Sequence, residues 1–257
     1  MAGHSKWSKI RHAKGAADAK KGKIFSKLAQ QISIAVKDGG GDVDSNPTLR
    51  KLVEKAKSES MPANNIQRAI NKGLGVGENG EKIEECVYEG IGPGGGSIVV
   101  DVATDNKNRV VSDLRKIFSD SGGTLSNSGS VSWNFEQKGR VEVQCGKMVA
   151  NKQNSLEEVF VESDYDQVLN DLLEIPGCID IAESEESSIE VFSEAQDLHK
   201  VKTGIQNLGY VISNYGLIRT PKIFKDLSDE DLEKLRILVE SLEEYPDVQN
   251  VWTDVKL

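Results

Sequence analysis

Residues 73–105, GLGVGENGEKIEECVYEGIGPGGGSIVVDVATD, decide the fold, because the period of the apolar residues changes within them. Four glycines between Gly73 and Gly80 mark a flexible joint between domains. Beyond it Cys86 to Ile91 and Ser97 to Ala103 read as strands, joined by the turn residues Gly92-Pro93-Gly94-Gly95-Gly96. Upstream of the joint the spacing is helical. Ile24, Phe25, Leu28, Ile32, Ala35 and Val36 recur every three or four residues until Gly39-Gly40-Gly41 stops the run. Asn46 followed by Pro47 reads as an N-cap and first helical residue, opening a second helix with Leu49, Leu52, Val53 and Ala56 inward. A third follows Met61, with Pro62 fixing its first turn, Ile66, Ala69 and Ile70 inward, and Gly73 as the left-handed terminator. Three short helices bury their stripes against one another, so residues 24–74 form a small helical domain.

Downstream the pattern mixes strands and helices. Thr104 or Asp105 caps a helix carrying Val110, Val111, Leu114, Ile117 and Phe118. Val131, Trp133 and Phe135 alternate on a strand, and Arg140 to Gln144 form another after a turn at Gly139. Helices follow near 164–174, 195–208 and 228–244, with strands near 179–182, 189–192, 210–218 and 248–253. The expected class is α+β: a three-helix N-terminal domain, then two α+β sandwiches, the second inserted into the first. The expected boundaries are 1–75, then 81–138 together with 210–257, with 139–209 as the insertion.

Charge divides the chain as sharply as periodicity does. The formal net charge is -9, yet residues 1–75 hold 15 Lys or Arg against six Asp or Glu, and residues 76–257 hold 17 against 35. Residues 153–199 contain 14 carboxylates and no Lys or Arg. A polyanion is drawn to the first segment and repelled by the last. Lys6, Lys9, Arg11, Lys14, Lys20, Lys21 and Lys23 stand one to six residues apart, so one segment can deliver several cations to one phosphate backbone. His12 and Lys27 belong to the same stretch. Gly15 and Gly22 lower helix propensity there, so the first 23 residues are expected to be mobile alone, with helix starting at Ile24. Trp7 among these cations has two readings: stacking on an unpaired base, or packing on its own helical domain. On the second helix Arg50 and Lys51, with Lys55 and Lys57, extend the positive surface. On the third, Asn64, Asn65, Gln67 and Arg68, with Asn71 and Lys72, give an outer face of amides that either reads base edges or is simply hydrophilic.

Other chemistries find little support. The three histidines, His4, His12 and His199, include no pair at metal-ligand spacing, and there is no Gly-x-Ser-x-Gly elbow. The Gly92–Gly96 loop lacks the Gly-Lys-Ser/Thr ending of a phosphate-binding loop. Cys86, Cys145 and Cys178, an odd number, read as reduced thiols in a cytoplasmic protein. No apolar run approaches the roughly 18 residues of a membrane span. The expectation is a non-enzyme without metal or cofactor, with DNA or ribosomal RNA as partner of the basic domain and a protein as partner of the acidic region 153–199.

Several stretches are distinctive as they stand: Ala2-Gly3-His4-Ser5-Lys6-Trp7, Lys21-Gly22-Lys23-Ile24-Phe25, Met61-Pro62-Ala63-Asn64-Asn65-Ile66, Tyr88-Glu89-Gly90, Gly92-Pro93-Gly94-Gly95, Gly129-Ser130-Val131-Ser132-Trp133 and Asp247-Val248-Gln249-Asn250-Val251. In this order they resemble the YebC/PmpR family over nearly the whole chain, departing most in 145–200. The resemblance implies a helical domain and two α+β domains, one inserted in the other. It also implies one of two roles. Members are described as transcriptional regulators that bind promoter DNA, while relatives, including a mitochondrial translational activator of cytochrome oxidase subunit I, are ribosome-associated factors that relieve stalling, for example at proline runs.

Overall fold

The computed structural model describes residues 4–77, 82–150, 158–183 and 188–257, with side chains from residue 21 onward except at 150 and 158. The chain is α+β, a helical N-terminal region followed by two antiparallel sheets. It divides into two compact units, 1–133 with 223–257, and 134–222.

Helix α1 spans His4–Gly39, α2 Pro47–Ser58 and α3 Ala63–Gly73. The helix therefore begins at His4, twenty residues before the apolar stripe at Ile24. Alanines and lysines, strong helix formers, outweigh Gly15 and Gly22. Leu28, Ile32 and Val36 of α1, Leu49 and Val53 of α2, and Ile66 and Ala69 of α3 form one buried cluster. Asn46 caps α2 as expected: its side-chain oxygen accepts from Leu49 N at 3.0 Å, while its amide nitrogen donates to Ala35 O at 2.8 Å and ties α2 to α1. Gly73 is the last residue of α3 and not its left-handed terminator, which is Gly75 at φ 72°. Gly73 serves close approach instead. A Cβ there would run into Ser33 O and lie 2.7 Å from Val36 Cβ on α1.

The first sheet has the order β3-β1-β2-β9, built from β1 (Glu84–Ile91), β2 (Ser97–Thr104), β3 (Thr124–Ser126) and β9 (Val248–Thr253). The Gly92–Gly96 loop makes the β1–β2 hairpin, with Ile91 opposite Ser97. Ile98, Val100 and Val102 alternate onto one face, where Val110, Leu114 and Phe118 of α4 (Lys107–Asp120) and Leu235, Leu238 and Leu242 of α7 (Asp229–Glu243) cover them. Asn106, and neither Thr104 nor Asp105, caps α4 by accepting from Arg109 N at 3.0 Å. Thr104 Oγ1 instead donates to Asp247 Oδ2 at 2.7 Å.

The expected strand through Val131, Trp133 and Phe135 is not formed. Ser132–Asn134 is a single 3-10 turn. Buried Glu89 explains it, because its carboxylate accepts from Gly129 N at 2.7 Å, Val131 N at 2.7 Å and Ser132 N at 2.9 Å, taking donors that a strand would give to a neighbour. Trp133 is 64% exposed, its indole N–H on Ser130 O at 3.1 Å.

In the second unit, β4 (Phe135–Ala150) pairs with β5 (Glu158–Glu162), β7 (Ser188–Glu194) and β8 (Tyr210–Pro221), and β7 pairs with β6 (Cys178–Glu183). No turn occurs at Gly139, which lies within β4 opposite Ser193 and Leu217. The strand from Tyr210, expected to resume the first module, belongs to this sheet because it pairs along β4 from Phe135 to Lys147. Helices α5 (Tyr165–Leu173) and α6 (Leu198–Asn207) set Val168, Leu172, Val201 and Ile205 against Val141, Val143, Ile189 and Val191.

Candidate nucleic-acid interface

The sequence candidates distribute unevenly over the three helices. Lys6, Trp7, Lys9, Arg11, His12, Lys14 and Lys20 lie on the N-terminal part of α1, where the backbone is helical and side chains fall outside the described residues. The helix of 36 residues rises about 54 Å, so its N-terminal half is a long rod rather than a turn or loop.

Lys21 is exposed, with its ammonium 5.4 Å from the centroid of the Phe25 ring. Lys23 and Lys27 are exposed, and each has a partner on the first sheet domain. Lys23 Nζ pairs with Glu244 Oε2 at 2.9 Å, and Lys27 Nζ donates to Glu243 O at 3.0 Å. Both sit at the C-terminal end of α7, where unsatisfied carbonyls favour cations. Two further bonds anchor the helical domain to the first sheet: Lys37 to Glu85, and Gln30 Nε2 to Ala103 O. Lys72 pairs with Asp105, which Arg109 also meets at 3.1 Å. Burial opposes the Asp105 charge, but Lys72 and Arg109 outweigh it and hold the carboxyl below the usual range.

On α2, Arg50 folds back onto Val43 O at 3.2 Å and Asp44 O at 2.7 Å, bracing the α1–α2 connection. Lys51, Lys55 and Lys57 are exposed and have no ion-pair partner among the described residues. Among the described residues they are, with Lys21, exposed cations open to phosphate. On α3, Gln67 Nε2 donates to Asn71 Oδ1 at 3.0 Å, and Asn64 is exposed. Arg68 is exposed and Asn65 half-buried, and with Asn71 they line a cleft of about 440 Å³ between α3 and α1. Phe25, Ala29 and Met61 share that lining. The apolar spacing alone assigns Phe25 to the core. Phe25 and Ala29 pack against that core and also border the cleft.

Elsewhere, His199 Nδ1 lies 3.1 Å from Thr203 Oγ1, one turn on along α6. Among the described residues no group of three His, Cys, Asp or Glu is arranged to hold a metal ion, and no helix is long and apolar enough to cross a membrane.

A small cation-rich helical domain thus precedes two helix-covered antiparallel sheets. Residues 5–76 match the model of the TACO1/YebC protein N-terminal domain, and residues 83–255 match the TACO1/YebC second and third domain. The chain belongs to the TACO1/YebC family. It is 42% identical over 257 residues to a probable transcriptional regulatory protein of Thermoanaerobacter pseudethanolicus, covering 100% of this chain and 98% of that one. A protein of the same name in Geobacter is 41% identical over 255 residues, covering 99% and 95%. Among solved structures, the conserved hypothetical protein Aq1575 of Aquifex aeolicus superposes with a TM-score of 0.69 at 34% identity, covering 93% of this chain and 91% of that one.

Proposed function

We propose that this protein is a non-enzymatic cytoplasmic regulator of gene expression that grips nucleic acid through its helical domain, 1–75. The observation that carries the reading is the opposition of charge: a first segment with 15 cations against six carboxylates, on a chain that is otherwise acidic. Lys51, Lys55 and Lys57, exposed on α2, support it. The names of the relatives point to transcription, and so to promoter DNA as the ligand.

A second reading, structured RNA such as that of the ribosome, is favoured by the placement of the α3 amides. A helix that reads a duplex needs outward side chains free to meet base edges. Here Gln67 is bonded to Asn71, and Asn65 faces the cleft toward α1. Recognition then rests on shape, backbone and unpaired bases, which is how RNA is commonly bound. The acidic region 153–199 is assigned to a protein partner. Crosslinking in cells followed by sequencing of the bound nucleic acid tests both readings. Enriched promoter fragments support the first, enriched ribosomal RNA supports the second, and enrichment of neither contradicts the function proposed.

A further inference from the structure

The cleft between α1 and α3 is lined by polar and apolar side chains together, and several of the polar ones are answered within the protein. Ser33 Oγ donates to Ala69 O at 2.7 Å, Gln30 donates to Ala103 O, and Lys72 is paired with Asp105. The side chain of Asn65 is half-buried in the same cleft and makes no hydrogen bond among the described residues. It shares the lining with the apolar side chains of Phe25, Ala29, Met61 and Ala69 and with the polar Ser26, Arg68 and Asn71. Such an amide depends on solvent at its open side, and a ligand that seals the cleft must answer its donor and acceptor or lose affinity.

We propose that this cleft is a binding site for a single unpaired nucleobase, adenine above the others. A volume of about 440 Å³ admits one base with room for its sugar. A primary carboxamide donates and accepts side by side, the complement of an adenine edge. Phe25 supplies an aromatic face of the kind on which unpaired bases stack. A cation stands where a flanking phosphate would run: Lys21 beside the Phe25 ring. An apolar peptide side chain would use the walls but leave the amide unanswered. The inference rests on the nucleic-acid reading above and specifies it, since a base in this cleft must leave its helix or come from a single strand.

The test uses the full chain and labelled eleven-residue RNAs of uridine carrying at the centre either one adenosine or an abasic site, with binding followed by anisotropy. The intact protein is expected to bind the adenosine strand about tenfold more tightly than the abasic one. Asn65→Leu, which keeps the size of the side chain and raises helix propensity, should lower affinity for the adenosine strand to the abasic level and leave the salt dependence unchanged. Asn64→Leu, altering the exposed neighbour outside the cleft, should change neither. Equal binding of the two strands by the intact protein overturns the base site, as does an equal loss for both strands in Asn65→Leu. Should no strand or duplex bind even at low salt, the nucleic-acid reading falls and the base site with it. Binding with a normal salt dependence but no adenosine preference removes the base site alone.

Discussion

The helical domain and the unit 134–222 are built by the same rule and finished with opposite charge. Each buries an apolar layer: Ile32, Leu49 and Ile66 in the first, Val141, Ile189 and Leu172 in the second. Their surfaces diverge. Among the cations of the helical domain, Lys23, Lys27, Lys37 and Lys72 are tied to carboxylates or carbonyls of the first sheet domain, while Lys21, Lys51, Lys55 and Lys57 remain exposed. In the acidic unit, Tyr210 donates to Asp171 at 2.6 Å and Arg140 pairs with Glu190 at 3.0 Å, but the stretch 153–199 offers its carboxylates no lysine or arginine of its own. Packing makes no demand for such an asymmetry; the proposed function supplies one, in what each surface meets.

Substitutions in the two cores should have the largest effects and should sharpen the comparison. Ile32→Ala and Ile189→Ala each remove a fully buried side chain and should each cost about 2–5 kcal/mol. Hydrogen exchange should place the first loss in α1–α3 and the second in 134–222; a loss spread evenly over both would break the division. Gly73→Ala forces α3 away from Ser33 and Val36 on α1 and should cost about 1–3 kcal/mol in chemical denaturation.

Glu89 gives an effect that depends on pH. Burial pushes its carboxyl up, but three backbone N–H donors outweigh burial and hold it below its ordinary value of 4.5. The folded state therefore favours the ionised form. Its contribution is complete above pH 4.5 and is lost as pH falls through the depressed folded value. Glu89→Gln should cost about 1–3 kcal/mol at pH 7 and flatten the acid limb of the stability profile; an unchanged acid limb would show that another carboxyl controls it. Smallest in stability, and largest in binding, is the neutralisation of Lys51, Lys55 and Lys57 to Gln. Melting should hardly move, while the slope of log affinity against log salt should shrink by about 0.9 for each duplex phosphate that a lysine no longer neutralises.

Legibility in the sequence followed the range of the forces involved. The Asn46-Pro47 start of α2 and the helix near 228–244 are read from local patterns, and both stand where the sequence places them. So does β9, at Val248–Thr253. The errors arise where a distant group intervenes. Three polar residues in a row, Thr104-Asp105-Asn106, each suit a cap, and only Asp247, far along the chain, engages Thr104 and leaves the role to Asn106. Glu89 converts a strand-like pattern at Val131 to Phe135 into a turn in the same way. Strand β5 escaped notice because Val159-Phe160-Val161 is short, exposed and without alternation. For the interface, composition revealed the cationic helices, but not that Lys23 and Lys27 meet α7 or that Asn65 lines a cleft with Phe25. Those are tertiary facts.

Central to the proposed function is that the cations of the first helix hold nucleic acid. Lys6, Lys9, Arg11, Lys14, Lys20 and Lys21 should be changed together to Gln in the full chain, leaving Lys23 on Glu244, and affinity for cellular RNA and for duplex DNA measured at one fixed ionic strength beside the melting temperature. The expected result is loss of binding to the preferred polynucleotide with the melting transition unchanged. Undiminished binding by the neutralised protein would contradict it.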